Sequence, residues 1–86
     1  MTKTQLMPIN GRKSFYGKAV VEDYGNGRKR LLSYDTPVCE IRDGAVTLTD
    51  KWDYSTTTIT HIRAFLYVNG YPAGSKADIA KRYGVA

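Results

Sequence analysis

The sequence predicts an α+β domain: a four-stranded antiparallel β-meander packed against one α-helix and followed by a short C-terminal helix. Three observations carry this reading. The pairs Asn26-Gly27 and Asp43-Gly44 each lie between short runs of alternating apolar and polar residues. Both pairs suit a two-residue type I′ hairpin, whose central residues take positive φ. From Ile59 onward, Ile62, Phe65 and Leu66 recur on one face of a helix.

The elements follow in order. Residues 1–14 are polar and contain Pro8, Gly11, Arg12 and Lys13, which reads as an irregular lead-in. Residues 15–86 then form one small domain. Composition turns strand-like from Phe15 to Tyr24. With Asn26 and Gly27 as the loop, Val21 is expected opposite Leu32, Ala19 opposite Tyr34, and Asp23 opposite Arg30 toward the tip. The segment from Ser33 to Pro37 links to a second hairpin, with arms Pro37 to Arg42 and Ala45 to Thr49. Its register pairs Ile41 with Val46 and Cys39 with Leu48, and turns Glu40 and Thr47 to the other face. Ser55 or Thr56 is suited to cap a helix over 57–69, because a side-chain oxygen there accepts from a first-turn N–H. Asn69-Gly70 ends that helix. A shorter helix covers Lys76 to Tyr83, with Ser75 as its cap, Asp78 in its first turn, Lys81 and Arg82 in its last, and Gly84 beyond. The long helix is expected to lay Ile59, Ile62, Phe65 and Leu66 over Ala19, Val21, Leu32, Ile41, Val46 and Leu48, with Trp52 closing one edge.

Composition bounds the function. The chain has 86 residues, 42% of them apolar; a domain of this size buries only about 60% of its unfolded surface. The net charge of +5 favours an anionic partner: nucleic acid, a ribonucleoprotein or an acidic protein surface. Seven tyrosines supply amphipathic side chains suited to half-buried sheet faces and binding surfaces. Cys39 is the sole cysteine, which excludes an intramolecular disulfide and a CxxC metal site. There is no apolar leader core at the N-terminus and no apolar run long enough to span a membrane. The expected compartment is therefore a reducing cytoplasm, with no membrane contact.

Most of the chemistry-bearing residues have an ordinary structural role open to them. His61 is the only histidine and lies within reach of Thr57 and Thr58, one helical turn away. A nucleophilic triad needs a nucleophile, an imidazole and an orienting acid, and no glycine-flanked nucleophile elbow is present. The hydroxyl run Ser55 to Thr58 reads as a helix start, with a small enzyme using His61 as the lesser alternative. Cys39 falls on the core face, where a free cysteine behaves as a small hydrophobe. No metal-ligand spacing exists, and no cofactor is expected. The basic groups are the stronger candidates. Lys13 and Lys18 flank Tyr16, while Arg28, Lys29 and Arg30 form a cluster expected to project from a hairpin tip. Lys81 and Arg82 lie on the last helix. Cations interleaved with aromatic rings hold phosphates and stack bases. The stretch GSKADIAKRYGVA is similar to the first helix and turn of a helix-turn-helix, but a reader of DNA needs a second helix after the turn. A capped helix is the expectation.

Four phrases carry a wider resemblance: KSFYGKA (13 to 19), LLSYDTPVCEI (31 to 41), YSTTTITHIRAFL (54 to 66) and NGYPAGSKADIAKRYG (69 to 84). Together they resemble a family of small uncharacterised proteins of phages and mobile elements of Gram-positive and gut bacteria. The resemblance implies a role inside a bacterial cell and assigns no catalytic residue and no ligand. It suggests that Lys13, Tyr16, Ser33, Tyr34, Tyr54, Thr57 and His61 share one surface. The expected function is a non-catalytic accessory protein that binds host machinery, a protein or nucleoprotein complex. The alternative is direct DNA or RNA binding with Arg28, Lys29, Arg30, Lys81 and Arg82 on phosphates. The chain is expected as a monomer or as a homodimer paired through a sheet edge.

Overall fold

A computed structural model describes residues 1–8, 15 and 17–85. The fold is α+β. A mostly antiparallel sheet runs β1 (Thr2–Gln5), β2 (Ala19–Gly25), β3 (Arg28–Ser33), β4 (Thr36–Arg42), β5 (Ala45–Leu48) and β6 (Gly84–Val85), in that spatial order. Helix α1 (Thr56–Val68) packs on one face, and the short α2 (Lys76–Arg82) follows it. The four expected strands are β2 to β5. The lead-in was expected to be irregular, yet it contributes β1, antiparallel to β2, and buries Leu6 in the core. β6 adds a two-residue parallel strand beside β5. Neither edge strand has an apolar alternation to announce it; TKTQ and GV are exposed along their length and join the sheet by backbone pairing, with Lys3 also reaching Glu22.

The second hairpin has the expected register, Ile41 with Val46 and Cys39 with Leu48. The first is shifted by one. Asn26 and Gly27 do form the loop, with φ of 52° and 77°. Gly25 also lies at positive φ, 73°, and Tyr24 is the extra residue of a bulge, braced by Asp23 Oδ1 accepting from Gly25 N at 2.9 Å. Val21 therefore pairs with Leu31, Val20 with Leu32, and Ala19 with Ser33. Leu31, not Leu32, is fully buried under α1, while Leu32 is half-buried.

Between β3 and β4 the chain needs only two loop residues. Ser33 pairs with Thr36, and Tyr34 and Asp35 both take positive φ, 51° and 66°. A second bulge then leaves Val38 unpaired between the Leu31–Cys39 and Leu32–Pro37 pairs. Val38 and Cys39 are both buried as a result. A bulge of this kind re-aims a side chain that strict alternation would send to solvent.

Helix α1 starts where its hydroxyls predict. Ser55 is the N-cap, its Oγ accepting from Thr58 N at 3.1 Å. Ile59, Ile62, Ala64, Phe65 and Leu66 are buried against the sheet, with Trp52, Phe15 and Ile79 completing the core. At the far end Asn69 Nδ2 donates to Phe65 O at 2.8 Å, and Gly70 at φ 81° turns the chain away. α2 carries a full capping box between Ser75 and Asp78. The carboxyl of Asp78 is held below the usual range, mainly by the Ser75 backbone N–H and then by its hydroxyl. Among the described residues, no helix is long and apolar enough to cross a membrane.

Candidate functional site

The β3–β4 turn and the start of α1 enclose one polar cluster. Ser33 ends β3 with its side chain on the helix side of the sheet, and Thr58 and His61 lie one turn apart on the facing side of α1. Ser33 Oγ lies 2.8 Å from His61 Nδ1 and 3.3 Å from Thr58 Oγ1. Thr58 Oγ1 in turn lies 3.2 Å from Ser55 Oγ. The result is a continuous chain, imidazole to Ser33 to Thr58 to Ser55, leading from the interior to the half-buried helix cap. Ser33, Thr58 and His61 are 2%, 1% and 1% exposed. Burying such groups is tolerable because each bonds its neighbour, and no buried side-chain nitrogen or oxygen among the described residues lacks a partner. Phe15 meets the imidazole edge-on, with centroids 4.6 Å apart, and Tyr34 leans over it at 5.7 Å.

A cleft of about 260 Å³ opens above this cluster. Ser33, Thr36 and Thr58 give it hydroxyls, Val38 a patch of apolar floor, Tyr34 and Tyr54 its aromatic walls, and Lys51 its cation. Among the described residues no carboxylate lines it. Tyr34 is 46% exposed and Tyr54 79%. The Lys18 ammonium sits 5.7 Å from the Tyr34 ring centroid, at the range where a cation is drawn to an aromatic face.

The turn that presents Tyr34 is unusual within its own molecule. Among the described residues, three two-residue hairpin loops carry positive φ at both central residues: Asn26-Gly27, Tyr34-Asp35 and Asp43-Gly44. Two of them use the pairs that adopt this conformation cheaply. The third places a bulky tyrosine in the left-handed region, which costs of order 1 kcal/mol or more.

The expected shared surface is thus partly assembled. Of its members Ser33, Tyr34, Tyr54 and His61 lie at or under the cleft, whereas Thr57 does not line it and its neighbour Thr58 does; Lys18, expected as a separate basic candidate, stands beside the Tyr34 ring. Lys13 and Tyr16 lie outside the described residues. Lys81 and Arg82 are exposed on α2 and do not line the cleft. Lys51, Thr36 and Val38 carried no motif; they reach the site through the turn, the bulge and the loop before α1.

Arg28, Lys29 and Arg30 do not form a projecting tip. They lie along β3, and strand alternation sends them to opposite faces. Lys29 Nζ donates to Asn69 Oδ1 at 2.9 Å, at the C-terminal end of α1 where a cation is favoured. Arg30 grips Glu22 Oε1 through Nη2 at 2.7 Å and Nε at 3.0 Å. Arg28 Nε and Arg42 Nη2 share Glu40 Oε1 at 3.2 and 3.0 Å. Tyr24 lies under both arginines and donates its hydroxyl to Glu22 at 2.5 Å. The Glu22 carboxyl is lowered, first by the Tyr24 hydroxyl and then by Arg30; the Tyr24 phenol is raised by the same hydrogen bond. This face of the sheet is a ladder of satisfied ion pairs.

The remaining candidates are structural. Burial pushes the Cys39 thiol up to about 12, so it stays protonated and inert. Among the described residues, no group of three or more histidine, cysteine, aspartate or glutamate side chains is placed to hold a metal ion.

A family model described as a family of unknown function, DUF8033, matches residues 2–81. The chain belongs to that family. The match runs from β1 through nearly all of α2, so it takes in the cleft and the buried hydroxyl–imidazole chain beneath it. The curated proteins and the solved structures return no match.

Proposed function

We propose that this DUF8033 protein is a non-catalytic binding module that engages a macromolecular partner at the cleft between the β3–β4 turn and the start of α1. The observation that carries the reading is Tyr34. The chain spends backbone strain to hold an aromatic ring at the cleft mouth, while it builds its two other tight hairpins from unstrained pairs. Strain of this kind clusters where a side chain must be presented. Exposed tyrosines beside a concave site are the usual anchors of a binding surface. The Ser33–His61 contact is read as the buried support of that surface, since both side chains are almost wholly enclosed. The finer reading, an accessory protein of a phage or mobile element acting on host machinery, is supported by the four sequence phrases quoted above.

A photo-crosslinking amino acid at position 54 tests the binding reading in a bacterial lysate. Tyr67 is the control, since it is 65% exposed but does not line the cleft. The expected result is a discrete adduct from position 54 and none from position 67. Equal labelling at the two positions, or none at 54, overturns the assignment of the cleft.

A further inference from the structure

We infer that the cleft takes one nucleotide of a single-stranded nucleic acid; this rests on the binding reading above and names its ligand. Three observations on the lining select this chemistry. The first is the mixture of walls and floor. Tyr54 offers an open aromatic ring and Tyr34 a half-exposed one that already meets His61 and Lys18; Thr36 brings an exposed hydroxyl beside the buried ones of Ser33 and Thr58, and Val38 is the sole aliphatic side chain among the described lining residues. An apolar side chain from a protein partner would leave the exposed Thr36 hydroxyl and the tyrosine phenols facing hydrocarbon, and desolvating a polar group without a partner is unfavourable. A nucleobase satisfies both, because its faces stack on aromatic rings and its edges carry donors and acceptors.

The second observation is charge. Lys51 is the charged residue of the lining, and no carboxylate among the described residues opposes it. Lys18 stands against the Tyr34 ring at the mouth. The two ammonium groups give backbone phosphates a place to sit as a strand enters the cleft and passes Tyr34. The chain's net charge of +5 has the sign such a partner requires. The third observation is size. About 260 Å³ lies just below the usual range for whole small-molecule pockets, and suits one inserted ring system with its sugar and phosphates outside.

A single strand is favoured over a duplex for a structural reason. In a duplex the bases are stacked and paired, so none is free to enter a cleft unless it is first unstacked and flipped out. The arginines that a duplex backbone would meet on the open sheet face, Arg28 and Arg30, are already committed to Glu40 and Glu22. Hydroxyl donors and acceptors that settle on a base edge also leave the sugar outside, so the cleft itself does not select RNA over DNA.

Fluorescence anisotropy with the full chain at physiological salt tests this. The probes are a labelled ten-nucleotide single strand, the same strand with abasic sites, the matching duplex, and a nucleoside monophosphate as competitor. The expected result is micromolar binding of the single strand, about tenfold weaker binding of the duplex and of the abasic strand, and weak competition by the monophosphate. Lys51→Ala and Tyr54→Ala, both at exposed positions, each weaken binding about tenfold, the scale of one stacked base or one well-placed contact. Arg28→Ala and Arg30→Ala change it less than twofold. Equal affinity for duplex or abasic strand, tight binding of the monophosphate, or loss through the arginine variants each overturns the inference. So does the absence of nucleic-acid binding; if position 54 still crosslinks a protein, the binding reading survives and only its ligand is wrong.

Discussion

At the scale of single residues, Ser33 joins the most of the structure to the candidate site. Its hydroxyl links β3 to α1 by bonding both His61 and Thr58. Replacing it with alanine removes the hydroxyl that connects the imidazole to Thr58 and leaves polar atoms buried with one partner fewer. Ser33→Ala is therefore expected to destabilise the fold by about 1–3 kcal/mol. Urea unfolding measures it, and a change under about 0.5 kcal/mol, the range of ordinary surface substitutions, would show that the chain of hydrogen bonds does not hold the fold. Ser33 and His61 both stood out as residues, but their contact crosses 28 positions of sequence. No local spacing announces such a pair, whereas Thr57 and Thr58 lie within one helical turn of His61 in the sequence.

At the scale of elements, turns and bulges set what the strands present. The tight turn at Tyr34-Asp35 is the clearest case. Converting it to the Asn-Gly pair that the β2–β3 hairpin already uses removes the left-handed tyrosine. The double change Tyr34→Asn with Asp35→Gly is expected to raise the Tm by roughly 4–8 °C, the equivalent of about 1 kcal/mol in a domain this small. The same change is expected to weaken partner binding, and calorimetry with a binding assay separates the two. An unchanged or lower Tm would mean that the tyrosine is not strained there. The bulge at Tyr24 makes a second prediction, about register. Leu31 is fully buried and Leu32 is not, so Leu31→Ala is expected to cost about 2–5 kcal/mol. Leu32→Ala is expected to cost about 1 kcal/mol or less. The reverse order would restore the unbulged register, in which Leu32 faces the core. Sequence periodicity located both hairpins but missed the shift, because Gly25-Asn26-Gly27 permits positive φ at three successive positions and alternation cannot say which residue is left over.

At the scale of the whole molecule, basic charge is compensated on the open sheet face and uncompensated at the cleft, where Lys51 meets no carboxylate among the described lining residues. On the open sheet face Lys3, Arg30, Arg28 and Arg42 surround Glu22 and Glu40. The folded state holds the Glu22 carboxyl below its ordinary value of 4.5. A depressed carboxyl adds stability above the unfolded pKa, and that stability drains away as pH falls through the folded value. The wild-type protein is thus expected to lose more stability between about pH 5 and pH 3 than Glu22→Gln, whose side chain does not titrate. Thermal unfolding across that window checks it, and parallel curves would show that Glu22 ionises alike in the folded and unfolded chains.

Sequence alone determined the α+β class, both glycine-bearing hairpins, the caps and bounds of the helices, and the apolar helix face. Each of these is a local property: a turn dipeptide, a capping side chain or a short period is written within a few neighbouring residues. The edge strands β1 and β6, the two bulges, the pairing of the arginines and the cleft itself came only with the folded chain. Their causes are contacts between distant positions, where strand twist, bulge and helix docking together decide which side chains meet. Arg28, Lys29 and Arg30 make the difference concrete. As a string they are a basic cluster; in the sheet each is drawn to a different acceptor, and the candidate cation passes to Lys51, which no motif had marked.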